Sequence, residues 1–221
     1  MNKTDDLETK DSPRWHSKIK VDSKITLAVI DMQRLFLTDK KSPWCEPKLL
    51  SIVPNIEKLI KIIGIKNVIF TRFMPPTNWQ QEKGSWRTYY HINKKITRCV
   101  LGTPALNIVD ELLSYISNRS EIANRKKSAS VFTAGSFHSK IKKRSTKYLI
   151  FTGIETDYCV LSSVLDAIHL GYHVIVVMDA CASSKKNGQK NARGIFERFP
   201  EQLWITSTKR LVKQLQNHSR R

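Results

Sequence analysis

The chain has 221 residues, 40% of them hydrophobic and 26% charged, which fits one domain of ordinary size and excludes a disordered chain. Lysine and arginine number 38 against 19 acids, a formal charge of +19, so polyanions and anionic surfaces are the first partners to weigh. No apolar run approaches the roughly 18 residues of a membrane span, and four separated cysteines without a C-x-x-C pair exclude zinc-finger and thioredoxin spacings.

In chain order, residues 1–23 show little periodicity and read as an N-terminal arm, mobile or wrapped on an edge, ahead of a domain spanning 24–221. The opening MNKTDDLETKDSPRW lacks the apolar core of a secretory signal, so the expected location is cytoplasmic. In a reducing compartment all four cysteines are expected as free thiols. Ile25–Met32 is an almost unbroken apolar run rich in β-branched residues, which predicts a strand buried on both faces. Pro43 and Pro47 punctuate a loop. Leu49, Ile52, Val53, Ile56, Leu59, Ile60 and Ile63 then recur at helical spacing, and Gly64 closes that helix. Asn67–Phe73 reads as a second strand, and residues 74–103 as an aromatic loop.

Thr103-Pro104 predicts the start of another helix, with Leu106, Val109, Leu112, Leu113 and Ile116 on its apolar face. Ser120–Asn124 is a weak third strand, and 135–144 a short basic helix. Lys147–Gly153, Tyr172–Ala180 and Gln202–Ile205 complete the strands. Helices over Asp157–Leu170, Lys186–Arg198 and Thr208–Gln216 follow them in turn. Six strands alternating with helices imply an α/β fold with a mostly parallel sheet and helices on both faces.

Open parallel sheets hold their sites outside the carboxyl ends of the strands. The first strand runs into Asp31, the third into Arg125, Lys126 and Lys127, and Cys159 follows the end of the fourth by six residues. A carboxylate, a lysine and a thiol therefore belong to one rim. Each also has a plain structural reading. Cys159, at the predicted first turn of a helix, is either an activated thiolate or a small buried hydrophobe. Asp31 either needs a charge partner or caps a neighbouring loop. Lys126 lies in a basic run whose members are mostly solvated. The basic segments 119–147 and 185–221, with nine and ten basic residues, read as solvated faces.

The motifs go further. IDMQ-x-x-F (Ile30–Phe36), K-x-x-x-S-x-F (Lys126–Phe132) and G-I-E-T-D-Y-C-V (Gly153–Val160) resemble the isochorismatase-like cysteine hydrolases. Leu165–Ser183 and Arg198–Thr208 are similar to that family's continuation, so the resemblance covers about Ile25–Leu215. It implies a three-layer Rossmann-like sandwich around a six-stranded sheet. It also implies cleavage of a C–N bond (amide, ureido or carbamoyl) in a small molecule through a thioester. On that reading Cys159 is the nucleophile, Asp31 the general base and Lys126 the supporting cation. Lys126 is preferred to Lys127 because it precedes Ser130 by the family's four residues. The backbone N–H groups of Glu155 and Cys159 supply the oxyanion site, and the Ile154–Glu155 peptide is cis.

Two departures narrow the expectation. The Asp-x-His metal motif that many nicotinamidases carry after the second strand is replaced here by TRFMPP (Thr71–Pro76). No metal or other cofactor is therefore expected, and nicotinamide becomes a less favoured substrate. Isochorismatases proper lack the cysteine, so Cys159 argues against vinyl ether chemistry. G-S-W-R-T-Y-Y (Gly84–Tyr90) resembles a subgroup with a W-R-x-Y-Y element. There Arg87 is expected to clamp a substrate carboxylate and Trp86 and Tyr90 to wall a flat pocket, with Gln33 and Phe36 as further substrate contacts. Cys45, Cys99 and Cys181 read as structural, Phe132 and Phe137 as core. The family implies a homodimer or homotetramer. Neither a membrane nor a nucleic acid is the expected partner, although a polyanion-binding protein and a non-catalytic interaction subunit are the alternative uses of the same fold.

Overall fold

A computed structural model describes residues 13–22, 24–116, 121–126, 129–133 and 136–219; the side chains of Glu121, Asn124, Arg125, Lys126, His218 and Ser219 lie outside that description. So do the greater part of the expected N-terminal arm and the fallback Lys127.

Fourteen regular elements follow one another among these residues: β1 (Ile25–Ile30), α1 (Arg34–Leu37), α2 (Val53–Ile63), β2 (Val68–Met74), α3 (Gly84–Ile92), α4 (Arg98–Leu101), β3 (Glu121–Lys126), α5 (Ser136–Lys143), β4 (Tyr148–Ile154), α6 (Leu161–His169), β5 (His173–Ala182), α7 (Gly188–Phe196), β6 (Leu203–Thr206) and α8 (Thr208–Ser219), with short 3₁₀ and π turns between them. The strands form one sheet in the order β3-β2-β1-β4-β5-β6, and every pairing is parallel. The chain builds outward from β1 to β3, then returns to the other side of β1 with β4. That reversal opens a crevice between the carboxyl ends of β1 and β4, where ligands bind in such sheets.

The alternation of side chains along each strand divides the core into two layers. Ile25, Leu27 and Val29 of β1 pack with Ile150, Ile175, Val177 and Trp204 under α2 and α8. Ala28 and Ile30 pack with Leu149, Phe151, Val174 and Val176 under α5, α6 and α7. α2 shows why these helices dock: Val53, Ile56, Leu59, Ile60 and Ile63 are all buried, each burial contributing about 1.5–3 kcal/mol. A third cluster, including Leu35, Phe73, Tyr90, Ile96, Leu101 and Leu106, joins the 74–106 segment to the carboxyl end of the sheet.

Three sequence expectations change. Residues 74–103 are not all loop, since α3 and α4 form there. The helix expected from Thr103 is instead two 3₁₀ turns, Pro104–Leu106 and Asp110–Tyr115. Between them Ile108 pairs antiparallel with Gln33, Val109 donates its N–H to Met32 (3.0 Å), and Asn107 accepts from Arg34 N–H (2.9 Å). A helix would withdraw those backbone groups. The predicted helix over Asp157–Leu170 likewise begins as a π turn, Thr156–Val160, before α6. The described part of the N-terminal segment is packed. Trp15 Nε1 donates to Glu201 O (2.8 Å), its ring lies 4.6 Å from that of His173, and Ile19 is fully buried. Among the described residues no helix is long and apolar enough to cross a membrane.

Candidate active site

β1 carries Asp31 to the crevice, where the residue turns sharply with φ +50° and is fully buried. Thr71 of β2 holds it from both sides: the Asp31 N–H donates to Thr71 Oγ1 (3.2 Å), and that hydroxyl donates to Asp31 Oδ1 (2.9 Å). The next strand over arrives equally close. Gly153 of β4 pairs with Ile30 at φ +106°, and a Cβ there would lie 2.2 Å from the Ile30 carbonyl oxygen. Only glycine permits this approach of β4 to the residue preceding Asp31. The chain then passes through a cis Ile154–Glu155 peptide into the π turn that bears Cys159.

The surroundings of Cys159 are fixed by hydrogen bonds. Glu155 O accepts the N–H groups of Tyr158 and Val160, both at 3.1 Å. The Cys159 carbonyl accepts from Ser163 Oγ (2.7 Å), and Ser163 Oγ accepts from Val131 N–H (3.1 Å). Ser130 donates to Asp166 Oδ2 (2.5 Å), so the segment after β3 is tied to α6 below the thiol. On the other side Glu155 accepts from the N–H and hydroxyl of Ser184, and Asp157 accepts from the Ser183 hydroxyl. The serine that follows Lys126 by four residues therefore has a visible structural use. Lys126 ends β3 opposite Met74 of β2, at the same end of the sheet as Asp31. Its side chain lies outside the described residues.

A cavity of about 370 Å³ opens over Cys159. Its walls are mainly aromatic: Phe36, Trp44, Phe73, Trp86, Tyr89 and Tyr90. Phe36 and Trp44 lie nearly parallel, 6.1 Å apart, and Trp86 meets Tyr89 edge-on at 5.5 Å. Glu46, Glu155, Asp157 and Lys185 are the described charged residues of the lining. Burial first, then Tyr158 and Cys159, pushes the Tyr89 phenol up to about 12. Burial also raises Tyr90, with smaller contributions from Tyr89, Glu82 and Tyr158. Both phenols are thus neutral at physiological pH.

Of the residues expected to touch substrate, Phe36, Trp86 and Tyr90 line the cavity, as do Glu155 and Cys159. Gln33 and Arg87 do not line it. Gln33 is fully buried, and its amide is engaged by the backbone: Nε2 donates to Phe73 O (3.0 Å) and Leu106 O (2.8 Å), while Oε1 accepts from Phe73 N–H (2.7 Å). Arg87 is exposed, with its guanidinium 5.4 Å from the ring centre of Trp79. Sequence reasoning missed Trp44, Phe73, Tyr89, Glu46 and Cys45 as lining residues. The Pro43–Pro47 punctuation marked only a loop, and nothing local shows that it folds over the carboxyl end of β4. Cys45 does line the cavity, and burial with Asp39 and Glu46 raises its thiol. Cys181 is buried and its thiol is driven up chiefly by that burial. Among the described residues no three His, Cys, Asp or Glu side chains are grouped to hold a metal ion.

The isochorismatase domain model matches residues 26–210, most of the chain. This protein belongs to the isochorismatase family. Among curated relatives, a probable inactive nicotinamidase of Arabidopsis thaliana is 25% identical over 160 residues, covering 72% of this chain and 80% of that one. The nicotinamidase of Escherichia coli K12 is 45% identical over 49 residues, 22% of this chain and 23% of that one. Among solved structures, a cysteine hydrolase from Pseudomonas syringae pv. phaseolicola 1448A superposes with a TM-score of 0.78 at 19% identity, over 95% of this chain and 99% of that one. The last likeness establishes the isochorismatase-like fold.

Proposed function

We propose that the protein is an amidohydrolase that cleaves a C–N bond of a small, flat molecule through a thioester on Cys159. The observation that carries this reading is the cavity over Cys159 at the β1/β4 crevice, with Asp31 delivered to the same crevice by β1. Asp31 takes the thiol proton, and the thiolate attacks the carbonyl carbon. The backbone N–H groups of Glu155 and Cys159 receive the developing oxyanion. Asp31 returns its proton to the leaving nitrogen, which departs as amine or ammonia. It then takes a proton from water as water adds to the thioester; the C–S bond breaks, the acid product departs, and Asp31 gives that proton back to the Cys159 sulfur. In this scheme Lys126 keeps Asp31 ionised.

The aromatic lining supports a flat acyl group. Three described acids against one lysine on the walls support a substrate without negative charge there, rather than the carboxylate expected from Arg87. The relation to the E. coli nicotinamidase supports an amide as the scissile group. The chain is proposed to act as a homodimer or homotetramer in the cytoplasm.

The test is ammonia release from a panel of small amides, ureas and carbamoyl compounds. Cys159→Ala should lower turnover by at least about 10³-fold with an unchanged circular dichroism spectrum, and Asp31→Asn by about 10²–10⁴-fold. Equal turnover by Cys159→Ala and the parent would refute the assignment. The Arabidopsis relative's printed name favours one second reading, a non-catalytic member. Silence of the parent across the whole panel would support it.

A further inference from the structure

A second concave surface lies away from Cys159 and shares no lining residue with the aromatic cavity. It is a groove of about 830 Å³ between α2 and α8, which pack side by side on one face of the sheet. Lys58 and Lys61 line one wall and Lys209 and Lys213 the other. On each helix the two lysines are separated by about one turn, a rise of about 4.5–6 Å. All four are exposed, and among the described residues none of their ammonium groups makes an ion pair or hydrogen bond.

The acid of α2 and the acid of the groove lining already accept hydrogen bonds from other groups. α8 contains no acid. Glu57, the acid of α2, accepts the Tyr115 hydroxyl (3.1 Å). Asp179, the acid lining the groove, caps α8: its Oδ1 accepts the Thr208 N–H (2.7 Å) and hydroxyl (2.9 Å). Like charges one turn apart destabilise a helix, and facing rows add to that cost. A bound anion relieves both.

The kind of anion follows from what the groove holds and lacks. Lysine is a point charge that serves phosphate well, whereas arginine forks suit planar carboxylates, and among the described residues no arginine lines this groove. Among the described residues no aromatic ring lines it either, so they offer no platform on which bases could stack. Three linked phosphates extend about as far as one helical turn, about 5.4 Å, and present several charges to the facing lysine rows. We propose that the α2–α8 groove is a binding site for a short polyphosphate chain, independent of the chemistry at Cys159.

Isothermal titration of the full chain with sodium tripolyphosphate tests this, with orthophosphate, adenosine triphosphate and a ten-residue thymidine oligonucleotide at matched ionic strength. One tripolyphosphate should bind per chain, at least about tenfold more tightly than orthophosphate and progressively more weakly as salt rises. ATP binding with similar affinity would identify a nucleotide's phosphate tail as a source of the same group. The charge-reversed K58E/K213E should lose at least about tenfold in affinity. K186E/K190E, which makes the same change in net charge on and beside α7 on the opposite face, should stay within about threefold of the parent. K58Q/K213Q asks the same question should the reversed pair fail to fold. Absence of tripolyphosphate binding, or equal losses from the two charge-reversed pairs, would overturn the proposal. Tighter binding of the oligonucleotide than of tripolyphosphate would replace it with a nucleic-acid surface.

Discussion

Replacing Gly153 by alanine probes the contact that brings β4 against the residue before Asp31. Two costs follow from the geometry. At φ +106° an L side chain is strained, by about 1–3 kcal/mol. The added Cβ would also lie 2.2 Å from Ile30 O and 2.7 Å from Ile30 N, far inside any normal contact. Because both atoms are backbone, no side chain can swing away, and β1 and β4 must separate at their carboxyl ends. Overpacking of that kind costs about another 1–3 kcal/mol. The expected loss is about 2–6 kcal/mol, or roughly 5–20 °C in Tm for a chain of this length. Gly64→Ala is the control: it has a similarly positive φ (+83°) but nothing within 4 Å of a new Cβ. It should show the strain alone, about 1–2 kcal/mol. Thermal melts of the two variants separate the effects, and ammonia release should fall much further for Gly153→Ala, because the separation displaces Asp31 from Cys159. Equal Tm losses in the two variants would refute the reasoning, since the steric component would then be negligible.

Gln33→Ala should cost about 2–5 kcal/mol in urea unfolding, because it removes three hydrogen bonds to the Phe73 and Leu106 backbone from a buried site. A change in KM with stability intact would instead restore Gln33 to the substrate contacts. Tyr89 gives a pH dependence. Its folded pKa of about 12 lies above the ordinary 10, so its contribution is full below pH 10 and is lost as pH rises from 10 to 12. Unfolding measured from pH 8 to 11.5 should therefore show the parent losing stability faster than Tyr89→Phe, and parallel losses would contradict the assigned burial.

The strands were legible because parallel strands buried on both faces are written as apolar runs, and all six fall within a residue or two of their expected places. The helix expected after Thr103 failed for a tertiary reason. Its periodic leucines are real, but residues 107–109 give their backbone to Met32, Gln33 and Arg34. Local pattern cannot foresee a partner 75 residues away. Gln33 and Arg87 show the same limit in side chains: residue type suggested substrate contacts, while the fold committed one amide to three backbone bonds and set the guanidinium over Trp79.

By itself the sequence determined the fold class, the strand ends that carry Asp31 and Lys126 and precede Cys159, and a surplus of basic charge without an address. Tertiary structure decided the rest. It placed the order reversal between β1 and β4, built the aromatic walls from the distant 36–46 and 73–90 segments, and aligned two lysine rows from helices some 150 residues apart. The physical reason is that strand propensity and hydrophobic period are local properties of the chain. A cavity or a field of charge exists only where separate segments are packed together.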